Sequence, residues 1–266
     1  YPRPGWVEQE PDLLIEKTMQ ACRSAIDRSG IDAQRIASIG FSAQRSVACP
    51  VAADGSAVRP MFSWQDARTG EEVEALRQII SAEQYYAENG LPMGTTWIIT
   101  KILWMRKHEP ALLAKTARFV QNQDLVLRAF GADDFYTDLC CAVVYGVFLA
   151  VQAVWNLPLL ERLCLSPEQF GRPTPPGTQV GTIGRAVADK TGFAAGTPLC
   201  VGAGVFASIE EGVAAMVHVA DRVEPDPQRH QRYEELYRAY VQTYEGLTGS
   251  GAFDSLARIQ AASPNA

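Results

Sequence analysis

The sequence predicts an α/β fold, and three observations carry that prediction. Helix-spaced and strand-like apolar runs alternate from the first residues onward. Two short strand-like runs, Ile36–Phe41 and Val47–Ala53, are followed by polar clusters, where α/β proteins tend to place small-molecule sites. A third run, Leu199-Cys200-Val201, ends in Gly202-Ala203-Gly204, the pattern of a buried strand running into a glycine turn. Across 266 residues, 47% hydrophobic content is enough for a substantial core.

The elements follow in order. Leu13, Leu14, Ile15, Met19, Cys22 and Ile26 recur at helical spacing, so Leu13–Asp27 is expected as a helix capped by Asp12 and stopped by Gly30. The strands Ile36–Phe41 and Val47–Ala53 come next, the latter turning at Asp54-Gly55. Glu71–Ile80 and Ser81–Asn89 read as short helices, closed by Gly90. Thr100–Arg106 is a further helix, and Ala111–Ala117 with Phe119–Val120 a helix followed by a short strand. Gln123–Phe130 is expected as a helix ending at Gly131, and Leu157–Leu163 as another. The uncharged segment Leu139–Leu160 is interrupted by Gly146, Gln152, Asn156 and Pro158, which argues for buried core over a membrane span. Gly171–Gly184, rich in proline and glycine, is expected as extended loop. Ser208-Ile209-Glu210-Glu211 forms a capping box for a helix running to His218. Asp226–Tyr244 reads as a charged helix whose stripe of Tyr233, Tyr237, Tyr240 and Tyr244 suits a packing face.

Several function classes are disfavoured. The net charge of −6, without a dense Lys/Arg stripe, disfavours nucleic acid and anionic membranes as partners. Six cysteines show no C-x-x-C spacing and mostly sit in apolar runs, which points to buried thiols in the cytoplasm. Three scattered histidines form no metal pattern. No Gly-x-Ser-x-Gly elbow suggests a hydrolase, and a dinucleotide fingerprint after Gly202 and Gly204 is disfavoured, Ala207 being a tolerated but weak match to its later glycine.

The chemistry concentrates in Ser42-Ala43-Gln44-Arg45-Ser46 and in Ser63-Trp64-Gln65-Asp66-Ala67-Arg68-Thr69. Arg45 offers a fork of fixed donors, and Gln44 both donates and accepts, as a polyol requires. With Gly5-Trp6-Val7-Glu8-Gln9 upstream, Gly90-Leu91-Pro92, Thr100-Lys101-Ile102-Leu103-Trp104, His108-Glu109-Pro110, Asp124-Leu125-Val126 and Gly196-Thr197-Pro198 downstream, the order of landmarks resembles the FGGY carbohydrate kinases. That resemblance implies part of an actin-like (ribonuclease H-like) ATPase fold. Residues 1–204 would form the sugar-binding domain without its first strands, and 205–266 a helical remnant of the second domain.

It also implies ATP-dependent phosphorylation of a sugar or polyol hydroxyl, with ATP and Mg2+ as the family's cofactors. Gln44, Arg45 and Ser46 would lie beside the substrate hydroxyls, Trp64 would stack on the sugar, Asp66 would accept hydroxyl hydrogens, and Thr96 or Trp97 would add a further contact. The family's catalytic aspartate falls at Val205, and its Asp-x-Gly-Thr phosphate loop has no counterpart here, so binding of ATP by this chain is doubtful and no catalytic residue is expected. Three readings follow: a kinase in incomplete form, a sugar-binding module without catalysis, or a nonfunctional remnant. Ile36–Phe41 and Leu199–Val201 are expected to have open edges, which a homodimer or a partner supplying the missing strands could pair. Arg45 followed by Ser46 leaves the sugar open, since the glycerol kinase pattern has Arg then Glu and the xylulokinase one Met then His.

Overall fold

In a computed structural model the protein is described over residues 1–201 and 209–262. The chain divides into two compact units, Tyr1–Val205 and Phe206–Ala266. The Gly202–Gly204 turn, Val205 and the Ser208 end of the expected capping box lie outside the described residues.

The first unit opens with β1 (Glu8–Gln9) and α1 (Pro11–Ser29). The helix starts ahead of the expected Asp12 cap because Pro11 occupies its first turn, where a missing N–H costs nothing. Asp12 then sits inside that turn, where its charge suits the helix dipole, and Gly30 closes the helix at φ 65°. The strand expected over Ile36–Phe41 is shorter, β2 (Ile39–Gly40), because Asp32 accepts from the Gln34 N–H at 3.0 Å and winds Ala33–Arg35 into a 3-10 turn. β3 (Cys49–Val51) and β4 (Met61–Phe62) follow. Next come α2 (Gly70–Arg77), α3 (Ala82–Asn89) and α4 (Ile98–His108). α3 is capped by the Ser81 hydroxyl at one end and by Gly90 at the other.

The chain continues through α5 (Pro110–Leu113), β5 (Arg118–Val120) and α6 (Asn122–Phe130). The uncharged Leu139–Leu160 segment forms short elements: after β6 (Tyr136–Asp138) come α7 (Leu139–Val143), β7 (Phe148–Leu149), β8 (Val154–Trp155) and α8 (Leu157–Arg162). Asp138 starts α7 by accepting from the Cys141 N–H at 2.9 Å, and Gly146 at φ 78° turns the chain toward β7. Among the described residues no helix is long and apolar enough to cross a membrane.

The expected loop at Gly171–Gly184 instead supplies β9 (Arg172–Thr174) and β10 (Thr178–Thr182), before α9 (Arg185–Thr191) and β11 (Pro198–Val201). β10 runs antiparallel to β11, and β11 runs parallel to β2. β11 is therefore a central strand and not the open edge expected from the sequence. The reason is that β10, supplied by the stretch expected as loop, takes the edge beside it. A second ribbon grows from antiparallel β1–β4 and β3–β5 and parallel β6–β9, with bridges Ala48–Phe62 and Phe119–Phe170 between the pairs.

Packing follows these sheets. Phe62, Tyr85, Ile98, Ile99, Ile102, Phe119 and Tyr145 anchor the largest core cluster, and Leu127, Phe130, Leu199 and Val201 anchor a second one under α1 and α9. Burying each such side chain is worth about 1.5–3 kcal/mol. Among the cysteines, Cys49, Cys141 and Cys200 are buried as expected, but Cys140 and Cys164 are exposed, and none is in a disulfide.

The second unit contains α10 (Ile209–Met216), α11 (Pro227–Gly249) and α12 (Ala252–Ala262). Asp226 caps α11 by accepting from the Gln228 and Arg229 N–H groups, and Pro227 fills its first turn. The tyrosine stripe expected to pack is exposed, with Tyr233 at 69% and Tyr240 at 65%. A helical period identifies an apolar face but not a surface to cover it.

Candidate functional site

The loop leaving β2 carries Arg45 and Ser46 to one wall of a cleft of about 390 Å³, lined also by Trp64, Leu91, Thr96, Trp97, Val143 and Val144. Trp64 follows β4, Trp97 precedes the first residue of α4, and Val143 ends α7, so the cleft is assembled from segments far apart in sequence. Trp64 is 46% exposed, a large indole face turned to solvent. The Trp97 Nε1–H donates to the Pro92 carbonyl at 2.5 Å, which fixes that ring. Ser46 is buried and adopts φ 61°, a left-handed conformation uncommon for a residue with a Cβ. Such strain persists where surrounding groups hold it, and it gathers at ligand sites.

Four of the sequence-predicted residues, Arg45, Ser46, Trp64 and Trp97, thus meet in one cleft. Gln44 lies instead in a separate hollow of about 280 Å³ with Ser42, Asn122 and Gln123. Its amide donates to Gln9 Oε1 at 2.8 Å.

Asp66 is placed differently again. It is fully buried and does not line the cleft. Arg68 grips its carboxylate through Nε at 2.9 Å and Nη2 at 2.6 Å, and the Val7 N–H donates at 2.7 Å. Lys101 Nζ stands 3.4 Å from the same carboxylate and donates to the Asp66 carbonyl. Burial alone would raise the Asp66 pKa, but the Arg68 hydrogen bonds, the Lys101 charge and the Val7 N–H outweigh it, and the net shift is downward. Burial pulls Lys101 down to about 8, against the opposing pull of Asp66. The network extends through Arg68 to Glu8, and from Glu8 through Arg59 to Glu109. The Arg68 guanidinium lies over the Trp6 ring, 3.6 Å from its centre. A carboxylate so fully occupied has no lone pair to offer a sugar, which corrects the expectation for Asp66.

Behind the cleft stands a residue that the sequence reading did not single out. Gln121, fully buried between β5 and α6, accepts from the Ser46 N–H at 3.2 Å and donates to the Cys141 carbonyl at 2.6 Å. Its own N–H donates to Asp124 Oδ2 at 2.9 Å. The signal that could have found it is the unbroken polar run Gln121-Asn122-Gln123-Asp124 directly after an apolar strand. Asp124 is buried with no cation paired to it among the described residues, and desolvation pushes its pKa up to about 8.

A guanidinium fork, two hydroxyls and two indoles around an aliphatic floor suit a small, neutral, hydroxyl-rich molecule. Among the described residues no group of three or more His, Cys, Asp or Glu comes together to hold a metal.

Comparison with solved structures defines the fold class first. Xylulose kinase from Rhodospirillum rubrum superposes with a TM-score of 0.70 at 22% identity, over 76% of this chain and 42% of that one. Ligand-bound xylulose kinase from Lactobacillus acidophilus gives 0.69 at 21%, over 75% and 40%. Plasmodium falciparum glycerol kinase with ADP gives 0.66 at 18%, over 74% and 40%. The fold is the mixed α/β, ribonuclease H-like arrangement of actin-like ATPases.

The profile of the FGGY family of carbohydrate kinases, N-terminal domain, matches residues 1–208, and the chain belongs to that family. Glycerol kinase from Aromatoleum aromaticum is 32% identical over 178 residues, 65% of this chain and 36% of that protein. Glycerol kinase from Chloroflexus aggregans is 34% identical over 113 residues, 41% and 22% respectively. The chain thus spans about a third or less of these relatives' length.

Proposed function

We propose that this chain holds the acceptor sugar or polyol of an FGGY-type kinase reaction, in which the γ-phosphoryl group of ATP passes to a substrate hydroxyl. The observation that carries the reading is the convergence of Arg45, Ser46, Trp64 and Trp97 on one cleft. In it the Arg45 fork and the Ser46 and Thr96 hydroxyls would bond the substrate hydroxyls, while the Trp64 face would cover its C–H surface. Glycerol and xylulose, the substrates named in the relatives and structural neighbours, are the first candidates.

Phosphoryl transfer needs an in-line base and a cradle for the nucleotide phosphates. Among the described residues no carboxylate lines the cleft, and residue 205, where the family resemblance puts the base, is an aliphatic Val. These two facts favour binding without turnover for the chain as it stands, a sugar-holding module whose catalysis would require groups beyond these residues. The reading includes a cytoplasmic setting, in keeping with six free cysteines. Of the two strands expected to have open edges, β2 ends its sheet among the described residues, so a second copy or a complementing segment would pair there.

Incubating the 266-residue chain with ATP, Mg2+ and a panel of polyols and pentuloses tests both halves of the proposal. Saturable sugar binding by calorimetry without ADP release is the expected result. Robust turnover would refute the non-catalytic reading, and absence of binding across the panel would refute the sugar-binding one.

A further inference from the structure

We propose that Gln121 is a positioning residue whose single amide clasps the two walls of the cleft and so sets its affinity for sugar. The proposal rests on reading the cleft as the sugar site. One wall is the Arg45–Ser46 turn and the other is the end of α7, Val143–Val144. Gln121 does not line the cleft but reaches both walls, accepting from the Ser46 N–H and donating to the Cys141 carbonyl within α7.

Three features make this amide more than one polar contact among many. The first is the state of Ser46, which is buried at φ 61°. A buried N–H in that conformation carries both a steric cost and, without an acceptor, a desolvation cost. Gln121 Oε1 is the acceptor that removes the second cost, so losing it releases the turn that presents Arg45. The second is that both ends of the amide are used. No aliphatic side chain can replace either bond, and a carboxylate could replace only the one from Ser46.

The third feature is that Gln121 is itself fixed. Its N–H is held by the Asp124 carboxylate at 2.9 Å, at the start of α6. β5 on its N-terminal side is paired to β3 through Cys49–Val120. The clasp therefore ties the positive-φ Ser46 turn to a residue held between a paired strand and the start of α6.

The test uses the full chain and the variants Gln121→Leu and Gln121→Glu, read by amide hydrogen exchange and by titration with glycerol and xylulose. In Gln121→Leu, protection in residues 42–47 and 139–145 should fall together by about tenfold or more, as expected when one buried hydrogen bond to each segment is lost. Sugar affinity should fall by a similar factor while the remaining core amides stay protected. Gln121→Glu, exchanged at a pH where the introduced carboxyl is ionised, keeps an acceptor for the Ser46 N–H but no donor for the Cys141 carbonyl, so it should restore protection in 42–47 while leaving 139–145 loosened. A merely structural role would not split the two segments.

Unchanged exchange in both segments of Gln121→Leu overturns the clasp. Loosened walls with unchanged sugar affinity overturn its role in binding. If Gln121→Leu fails to fold, Gln121→Glu decides through the split between segments. If the wild-type chain binds neither sugar while Gln121→Leu loosens both segments, the clasp stands and the sugar assignment of the cleft is what fails.

Discussion

Trp64 and Asp66 stand two residues apart on one segment and meet opposite fates. Trp64 is 46% exposed at the mouth of the cleft, whereas Asp66 is fully buried and gripped by Arg68, Lys101 and the Val7 N–H. The chain turns on leaving β4, with the Asp66 N–H donating to the Ser63 carbonyl at 3.1 Å, so Trp64 meets solvent while Asp66 is turned in toward Arg68, Val7 and Lys101. The difference teaches that a polar cluster at a strand end is a composite. One part presents surface to a ligand, and the other fastens the presenting loop to the core.

The sharpest way to break this comparison is to remove the buried member. Asp66→Ala leaves Arg68 and Lys101 without their shared anion and should cost on the order of 3–5 kcal/mol, read from the shift in urea midpoint. Trp64→Ala should cost less than about 1 kcal/mol in the same experiment, because half of its surface already faces water. Equal losses for the two would dissolve the distinction.

A second buried carboxylate extends the comparison to pH. Asp124 has no cation paired to it among the described residues and its pKa is raised to about 8, while that of Asp66 is lowered. Between about pH 4 and pH 8 the folded chain therefore holds a proton at Asp124 that the unfolded chain releases. Stability from this group declines as pH rises through that window, by at most about 1.4 kcal/mol per pH unit. Asp66 acts in the opposite sense, its contribution being present above the unfolded carboxylate pKa and lost on acidification below it. Asp124→Asn should flatten the decline between pH 5 and pH 8 in denaturant titrations. An unchanged slope would show that another group titrates there.

At the cleft itself, Trp64→Ala and Arg45→Ala should each weaken sugar binding by about tenfold or more, as loss of a stacked face or of charged hydrogen bonds does. Calorimetry on variants with intact melting curves measures this. The smallest effect is expected in the second unit, where Tyr240→Ser on exposed α11 should change stability by no more than about 0.5 kcal/mol.

How much of this was legible in the sequence follows from the range of the forces involved. Helices with local stop signals were readable: Gly30, Gly90 and Gly131 close α1, α3 and α6 where the sequence places them. The family resemblance had also grouped Arg45, Ser46, Trp64 and Trp97, which line one cleft. Asp66 was misread because its partners Lys101 and Val7 lie far from it along the chain. Gln121 escaped notice for the same reason, since its bonds to Ser46 and Cys141 span 75 and 20 residues. The strands β9 and β10 were hidden by the prolines and glycines around them, and pairing with β6 and β11 overrode that local signal.

Titration of the wild-type chain with glycerol and with xylulose, followed through tryptophan fluorescence and repeated on Trp64→Ala, reaches the central claim most directly. Saturable quenching by one of these sugars, lost or weakened at least about tenfold in the variant, is the predicted result. Saturable binding that Trp64→Ala leaves untouched, or no binding of either sugar, would contradict it.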